Sequence, residues 1–381
     1  MTLSRRKTLT LLGGGTILAA TGAAAYGVKR MPTSAYEPWA AAGGYTDPRM
    51  HALSYAILAP NPHNRQPWQV DLRNAGEVTL RVDTDRLLPH TDPFSRQICI
   101  GLGCFLEMMV LAAAERGYGV DLDLFPDGSD SSALDARRVA VARFIEGGAS
   151  PEPEMFAHVM ARRSLKEPFD VTRMVDQSAL DAVLASARAT QVAGSVDPAS
   201  IGQLREITHE ALRIEIETPR TYKESVDLFR IGSREVAANP DGIDFTGPMF
   251  EAMALTGTFT REIALDRESM AYDQGLTAVM ENVDTAMGHL WQVTPGNTRA
   301  DQIAAGRDWL RLNLAATGLG LGMQPLSQGL QEYPEMADIY SDLHARLAPG
   351  GGTVQMLARI GYGPEVGQSP RWPIESKIVN A

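Results

Sequence analysis

Apolar residues recur with helical spacing in two long segments of this chain. The first segment follows Asp92, which can cap free backbone amides, and Pro93, which suits the first position of a helix. Gly117 ends this helix. Its apolar stripe consists of Ile98, Leu102, Phe105, Leu106, Met109 and Ala113. The same spacing predicts a second helix from about Arg299 to Thr317.

Shorter apolar runs predict strands between and after these helices. The expected strands cover residues 68–72, 78–82, 120–124, 139–144 and 354–360. Helices and strands alternate, and each half of the chain has only a few strands. This pattern favours an α+β fold of two packed units over one doubly wound sheet.

The two long helices belong to an internal repeat. Residues 103–119 read GCFLEMMVLAAAERGYG and residues 306–322 read GRDWLRLNLAATGLGLG, with Leu-Ala-Ala and Gly-x-Gly in step. Each copy precedes a strand-like segment that ends in Ala-Arg and an apolar residue. We therefore predict a gene duplication that produced two tandem halves.

The predicted halves are unequal. The first covers residues 34–150 and the second covers residues 151–381. A mostly helical stretch at about 198–296 has no counterpart in the first half. Insertions of this kind often become lids or binding loops.

Composition restricts the partners of the chain. It has 381 residues, 44% of them hydrophobic, and a formal net charge of -11, which argues against a nucleic-acid or anionic-membrane partner. Its two cysteines, Cys99 and Cys104, are five positions apart on one predicted helix. A disulfide between them is therefore not expected, and two small buried side chains are.

The first 25 residues resemble a twin-arginine signal peptide. Arg5 and Arg6 precede an apolar, glycine-rich run, and three alanines at 23–25 suit a signal peptidase. The alternative is a membrane anchor, because the run has nearly the length of a membrane span. We expect cleavage, a periplasmic or cell-envelope location and no stable membrane insertion afterwards. Since this route exports folded proteins, it also suggests a cofactor that is loaded before export.

The most distinctive motif is APNPHNRQPW at residues 59–68. Two prolines fix the backbone of a loop that enters the strand at Trp68, and the loop carries two amide side chains. Such amides suit the uracil-like edge of a flavin, although they could equally satisfy local backbone groups. The candidate ligands are Pro60, Asn61, Pro62, His63, Asn64 and Gln66.

Three further motifs supply candidate contacts for a phosphate and a planar ring. Arginine, lysine and a hydroxyl within five residues form a possible phosphate clamp, although cations also complement a helix C-terminus without any ligand. The Gly-x-Gly-x-Gly segment at 318–322 follows a helix, so it is not a dinucleotide fingerprint. The candidates are Arg162, Arg163, Ser164 and Lys166 in the clamp, Gly320, Gly322, Met323 and Gln324 in the glycine segment, and Arg371 near the C-terminus.

Together these motifs resemble the nitroreductase superfamily, and most of all its Acg-like branch of FMN-binding proteins with two fused halves. The resemblance extends from about Tyr36 to Ile378. It implies a nitroreductase-like fold in which the two halves form an intrachain pseudo-dimer. It also implies one complete FMN site, built from the loop of the first half and the clamp, glycine segment and Arg371 of the second. The mirror-related site lacks arginine at 51–56 and lacks proline and asparagine at 185–191, so we expect one FMN per chain.

The resemblance implies an FMN-dependent oxidoreductase with ping-pong transfer of hydride or electrons through N5. The electron donor is unknown, and the acceptor is a small molecule such as a quinone or nitro-aromatic compound. No catalytic side chain is expected, because this cycle requires no obligatory protein acid or base. The alternative is a protein that sequesters FMN under a lid. Since the second half supplies the partner of the first, we expect a monomer.

Overall fold

The computed structural model of the protein describes residues 33–380, so the predicted signal peptide lies outside the described residues. Two antiparallel sheets form the centre of the molecule. The first contains β1 (Trp68–Asp71), β2 (Glu77–Val82), β3 (Tyr118–Leu124) and β4 (Arg138–Glu146) in the order β1-β2-β4-β3. The second contains β5 (Gln191–Ser195), β8 (Gly288–Thr294), β9 (Gly322–Pro325) and β10 (Thr353–Gly361) in the order β5-β8-β10-β9.

The two sheets have the same connectivity. Within each, the first two strands pair, a long helix follows, and the last two strands exchange places in the spatial order. A helix precedes the first strand in both cases, namely α2 (Pro48–Ala56) before β1 and α5 (Gln177–Leu184) before β5. One additional strand, β11 (Ile378–Asn380), pairs in parallel with β1 and attaches the C-terminal segment to the first sheet. The chain is therefore an α+β protein with two topologically equivalent halves.

The long helices of the two halves pack against each other through the repeat. These helices are α3 (Arg96–Ala114) and α12 (Arg299–Gly318). Gly103 and Gly306 meet at the crossing, where a Cβ on Gly306 would stand 1.9 Å from the carbonyl oxygen of Ile100. The backbones approach so closely that only glycine fits at these positions. Cys99 and Cys104 are buried in the same interface and form no disulfide.

An insertion of residues 196–287 separates β5 from β8, where the first half has only a short turn between β1 and β2. It begins with α6 (Pro198–Glu217) and α7 (Pro219–Asp227), and β6 (Phe229–Ile231) then pairs in parallel with β7 (Ile243–Phe245). The other helices of the insertion are α8 (Ser233–Ala238), α9 (Pro248–Thr256), α10 (Arg261–Leu265) and α11 (Met270–Asp284). The remaining helices of the chain are α1 (Thr33–Ala41), α4 (Pro153–Phe156) and α13 (Ala337–Leu347), with 3-10 turns at Pro62–Asn64, Thr84–Arg86, Gln328–Leu330, Pro334–Met336 and Ile374–Lys377.

The structure corrects the predicted start of the first long helix. The helix begins at Arg96, and Ser95 precedes it in the left-handed region with φ of 56°. Asp92 still accepts hydrogen bonds from the free amides of Gln97 and Ile98, at 3.0 and 2.9 Å. Asp92 therefore caps the helix from four residues before its first residue, Arg96, and Pro93 lies outside the helix.

The structure also changes the end of the insertion. Residues 288–294 were expected within the helical stretch at about 198–296, but they form β8, a central strand of the second sheet. Strands β5, β6, β7, β9 and β11 were not expected either. All five predicted strands are present, and their observed ends lie within two residues of the expected ones.

Candidate functional site

The loop at residues 60–66 has an unusual backbone conformation. His63, Asn64 and Gln66 have φ of 47°, 49° and 50°, in the left-handed region that non-glycine residues rarely occupy. The side-chain carbonyl of Asn61 accepts a hydrogen bond from the amide of Gln66 at 2.7 Å and closes the loop on itself. Each such residue costs roughly 1–3 kcal/mol, and strain of this kind concentrates at functional sites.

The C-terminal segment fastens onto this loop. The guanidinium of Arg371 donates to the side-chain oxygen of Asn64 at 2.7 Å, and the amide of Trp372 donates to the side-chain oxygen of Gln66 at 2.8 Å. The buried ammonium of Lys377 donates to the backbone carbonyl of Gln66 at 3.0 Å. Residues more than 300 positions apart in sequence thus form one side of the candidate site.

Arg162 joins the same group from the second half. Its guanidinium donates to the side chain of Asn313 on α12 and to the carbonyl oxygen of Leu58, both at 3.0 Å. Arg371 also donates to the carbonyl oxygen of Leu58, at 3.2 Å. Two guanidinium groups therefore meet at one carbonyl oxygen immediately before the loop.

Arg163 brings a third cation to this place. Its guanidinium carbon lies 4.8 Å from the centre of the Trp39 ring, and that of Arg371 lies 5.7 Å from the same ring. Trp39 is buried on α1, and its ring makes cation–π contacts with both guanidinium groups. Ser164, half-buried, follows Arg163 in the chain.

Within residues 33–380, no carboxylate contacts Arg162, Arg163 or Arg371 directly. Desolvation lowers the pKa of Arg162 to about 10 and that of Arg371 to about 9, and repulsion from a neighbouring arginine lowers each pKa further. The Nε atoms of Arg162 and Arg371 are buried and have no hydrogen-bond partner among the described residues. Such groups strongly favour an anion, because an unpaired buried charge is costly.

Lys166 and His63 extend the positive region toward the insertion. The Lys166 side chain keeps accessible surface, yet the protein that surrounds its ammonium lowers its pKa by desolvation. Desolvation together with the charge of Lys166 lowers the pKa of His63 to about 4, so His63 is neutral at physiological pH. The carboxylate of Asp244 on β7 interacts electrostatically with these cations. Desolvation raises its pKa, whereas the charges of Lys166 and Arg371 lower it by a smaller amount, so the pKa is raised overall.

The predicted glycine segment packs against the segment that carries the clamp. Gly320 lies on the exposed turn after α12 with φ of 70°. A Cβ on Gly322 would stand 2.4 Å from the side chain of Leu165, so the missing side chain makes room for the segment that carries the clamp. The carbonyl oxygen of Met323 accepts from the amide of Leu165 at 3.0 Å, and Gln324 accepts from the guanidinium of Arg359. The segment thus holds the clamp in place, and the contact shown for the Gln324 side chain is with Arg359.

The topologically equivalent position in the other half has a different charge balance. There the loop at 185–190 leads from α5 into β5, and Arg311 donates to the carbonyl oxygen of Ser186 at 2.9 Å, as Arg162 does to Leu58. Arg311, however, forms ion pairs with Glu107 and Glu152 at 2.9 and 2.6 Å. Asp308 binds the backbone amides of residues 188–190. This position is neutralised by the protein and needs no external anion.

Several residues of the site were not predicted from the sequence: Trp39, Asn313, Asp244 and Lys377. They lie on four separate elements and carry no local motif, so only the tertiary structure reveals them. Two concavities of about 310 and 410 Å³ are not lined by the clamp or by Arg371. The first is lined by α1 and by the segment after Arg371, and the second by residues of the insertion. We therefore identify the candidate site from the cations that lie close together and not from the size of a cavity.

No family model matches the chain. Over 339 residues it is 25% identical to a Mycobacterium tuberculosis protein provisionally named NAD(P)H nitroreductase acg. This alignment covers 87% of this chain and 95% of the relative. A second, similarly named protein of that organism is 23% identical over 340 residues, 85% of this chain and 91% of the relative.

Among solved structures, the chain resembles the FMN-dependent nitroreductase NfnB from Mycobacterium smegmatis, solved in complex with NADPH. That match has 17% identity and a TM-score of 0.36, and it covers 58% of this chain and 96% of the other. A nitroreductase-type protein from Anabaena variabilis matches with 12% identity and a TM-score of 0.40, over 81% of this chain and 82% of the other.

Proposed function

We propose that this protein binds one FMN and acts as an FMN-dependent oxidoreductase of the nitroreductase type. The observation that carries the proposal is the pair of buried guanidinium groups, Arg162 and Arg371, whose Nε atoms have no partner among the described residues. A phosphate group would accept from both. The full-length similarity to proteins named as NAD(P)H nitroreductases supports the same class.

The residues of the site fit the parts of FMN. Arg162, Arg163 and Arg371 would hold the phosphate, with Lys166 as a further positive charge. The amides of Asn64 and Gln66 are anchored by the C-terminal segment, and the strained loop would present its polar groups to the ring. When bound, FMN would supply the electron transfer, through N5, between a nicotinamide donor and a small acceptor such as a quinone or nitro-aromatic compound.

The contrast between the two halves supports the proposal of one FMN per chain. In the part of the chain that the structure describes, no carboxylate contacts the cations near Leu58 directly, whereas Arg311 near Ser186 forms ion pairs with two. A second phosphate would have to displace Glu107 or Glu152 from a buried position. A duplicated chain that retains one working site would also need no second subunit, so we propose a monomer. Export by the twin-arginine route remains part of this proposal.

A flavin-sequestering protein is the second candidate, and contacts of the insertion favour it. The carbonyl oxygen of Pro240 accepts from the buried Gln66 side chain at 2.7 Å, and Asp241 accepts from Arg86 and from Trp372. The insertion is thus fastened to the loop and to the C-terminal segment. A closed insertion would retain FMN and restrict access to it.

Anaerobic addition of NADPH or NADH to the purified FMN-loaded protein separates the two candidates. Rapid loss of the flavin absorbance, followed by its return when a quinone is added, is the result expected of the oxidoreductase. Bound FMN that resists the nicotinamide but is reduced by dithionite would instead indicate sequestration.

A further inference from the structure

A chain of three polar side chains leads from the loop into the interior of the insertion. Nε2 of His63 lies 3.2 Å from the hydroxyl oxygen of Ser225 on α7. That hydroxyl lies 3.5 Å from a carboxyl oxygen of Glu215 on α6. Nδ1 of His63, at the other end, is buried and has no hydrogen-bond partner among the described residues. The chain therefore joins a buried carboxyl group to a free ring nitrogen in the candidate site.

These three groups can be hydrogen-bonded in two ways that differ by one proton. With Glu215 protonated, the carboxyl donates to Ser225, Ser225 donates to Nε2, and His63 carries its proton on Nδ1. With Glu215 ionised, each donor and acceptor exchanges its role, His63 carries its proton on Nε2, and Nδ1 is bare. Conversion of the first form into the second moves one proton from the carboxyl group to whatever accepts it at Nδ1.

The surroundings suit both end groups to this exchange. Glu215 is 6% exposed, and its desolvation raises its pKa to about 7, so both of its forms are accessible near neutral pH. His63 is held neutral, as a proton-conducting imidazole must be. The groups that face Glu215 are Gln331, which donates to its second oxygen at 3.0 Å, Ser225, Glu224 and Tyr333; the charged groups that act on His63 are Lys166 and Arg65.

We propose that Glu215, Ser225 and His63 form a proton relay that delivers one proton to the acceptor during its reduction. The inference rests on the proposed function. A quinone that takes a hydride from the reduced cofactor needs one more proton to become the hydroquinone, and Nδ1 of His63 supplies it. Nε2 takes the proton of Ser225, Ser225 takes the proton of Glu215, and Glu215 is left ionised. After the product has left, a solvent proton that enters at Nδ1 shifts the same chain back, which returns the proton to Glu215 and restores the starting form. The substrate class is thus an acceptor with a reducible oxygen, such as a quinone carbonyl.

The first test concerns the relay without any turnover. Infrared spectra of the purified protein between pH 5 and pH 9 should show the carbonyl band of a protonated carboxyl group that disappears with a midpoint near pH 7. Glu215→Gln should remove this band, and Ser225→Ala should shift it because one hydrogen bond is lost. Glu210→Gln is the matched control, since Glu210 lies on the same helix, partly exposed and paired with Arg213, and should leave the band unchanged. A band that none of these variants alters would overturn the relay.

The second test measures the oxidation of the reduced, FMN-loaded protein by p-benzoquinone in a stopped-flow instrument. Ser225→Ala and Glu215→Gln should lower this rate roughly tenfold or more and remove its dependence on pH near 7, while FMN affinity and Glu210→Gln rates stay at wild-type values. Bound FMN with an unchanged quinone rate in Ser225→Ala would overturn the relay but not the proposed function. Failure of the wild-type protein to bind FMN would overturn both.

Discussion

The free Nε atoms of Arg162 and Arg371 predict how strongly the protein should distinguish FMN from riboflavin, which lacks the phosphate. A hydrogen bond to a charged group contributes about 1.5–3 kcal/mol. Two such bonds to a phosphate amount to about 3–6 kcal/mol, which corresponds to a preference for FMN of roughly 10²- to 10⁴-fold. The negative charge of a bound phosphate would also offset the cost of burying these two cations, which is the cost that lowers their pKa values, and this favours FMN further.

Arg371→Met removes one of these cations and keeps most of the buried aliphatic volume. We expect FMN affinity to fall about 10- to 150-fold, the loss of one charged hydrogen bond, while riboflavin affinity changes much less. Quenching of flavin fluorescence during titration measures both affinities. Arg213→Met, which removes an exposed arginine of α6, is the control for net charge. Equal affinities of the wild-type protein for FMN and riboflavin, or equal losses for both in Arg371→Met, would refute the reasoning.

Three further predictions concern the fold and the insertion. Gly306→Ala should lower the free energy of unfolding by several kcal/mol, because its Cβ would collide with the backbone of α3. Gly202→Ala, in a helix with open space around it, is the control and should be neutral or stabilising. Chemical denaturation measures both free energies, and equal effects would contradict the close crossing of the two long helices. Glu215→Gln should stabilise the protein at pH 8 by up to about 3 kcal/mol and have little effect at pH 4. The reason is that the raised pKa of Glu215 makes the wild-type protein lose stability as the pH rises from about 4.5 to 7. A difference in melting temperature between variant and wild type that does not depend on pH would contradict this. Asp241→Asn should speed the release of bound FMN by weakening the contacts of the insertion to Arg86 and Trp372. An unchanged release rate would show that the insertion does not retain the cofactor.

Local signals in the sequence predicted much of the fold. The five strands and both long helices were identified because their apolar residues follow the period of the element that they form. The start of α3 was misplaced because Asp92 caps it from one turn away, which the usual pattern of capping residues does not describe. Strand β8 was missed because the long insertion separates it from β5, its partner on one side, so its pairing depends on contacts distant in sequence.

The same distinction applies to the site. The loop and the arginines carry recognisable residue types, and the structure brings Asn64, Gln66, Arg162 and Arg371 together around Leu58. The glycine segment had a plausible ligand-binding pattern, but its most constrained member, Gly322, is constrained by Leu165. Whether a cation is already neutralised depends on residues from other elements, as Arg311 and its two carboxylate partners illustrate. Sequence spacing contains no information about such balances.

The central claim is most directly tested by the stoichiometry of FMN binding to the purified protein. After saturation with FMN and removal of the excess, flavin is released by denaturation and quantified against the protein concentration. We predict one FMN per chain in a particle with the mass of a monomer, and visible absorbance that is shifted from that of free FMN. No retained flavin, or two flavins per chain, would contradict the account.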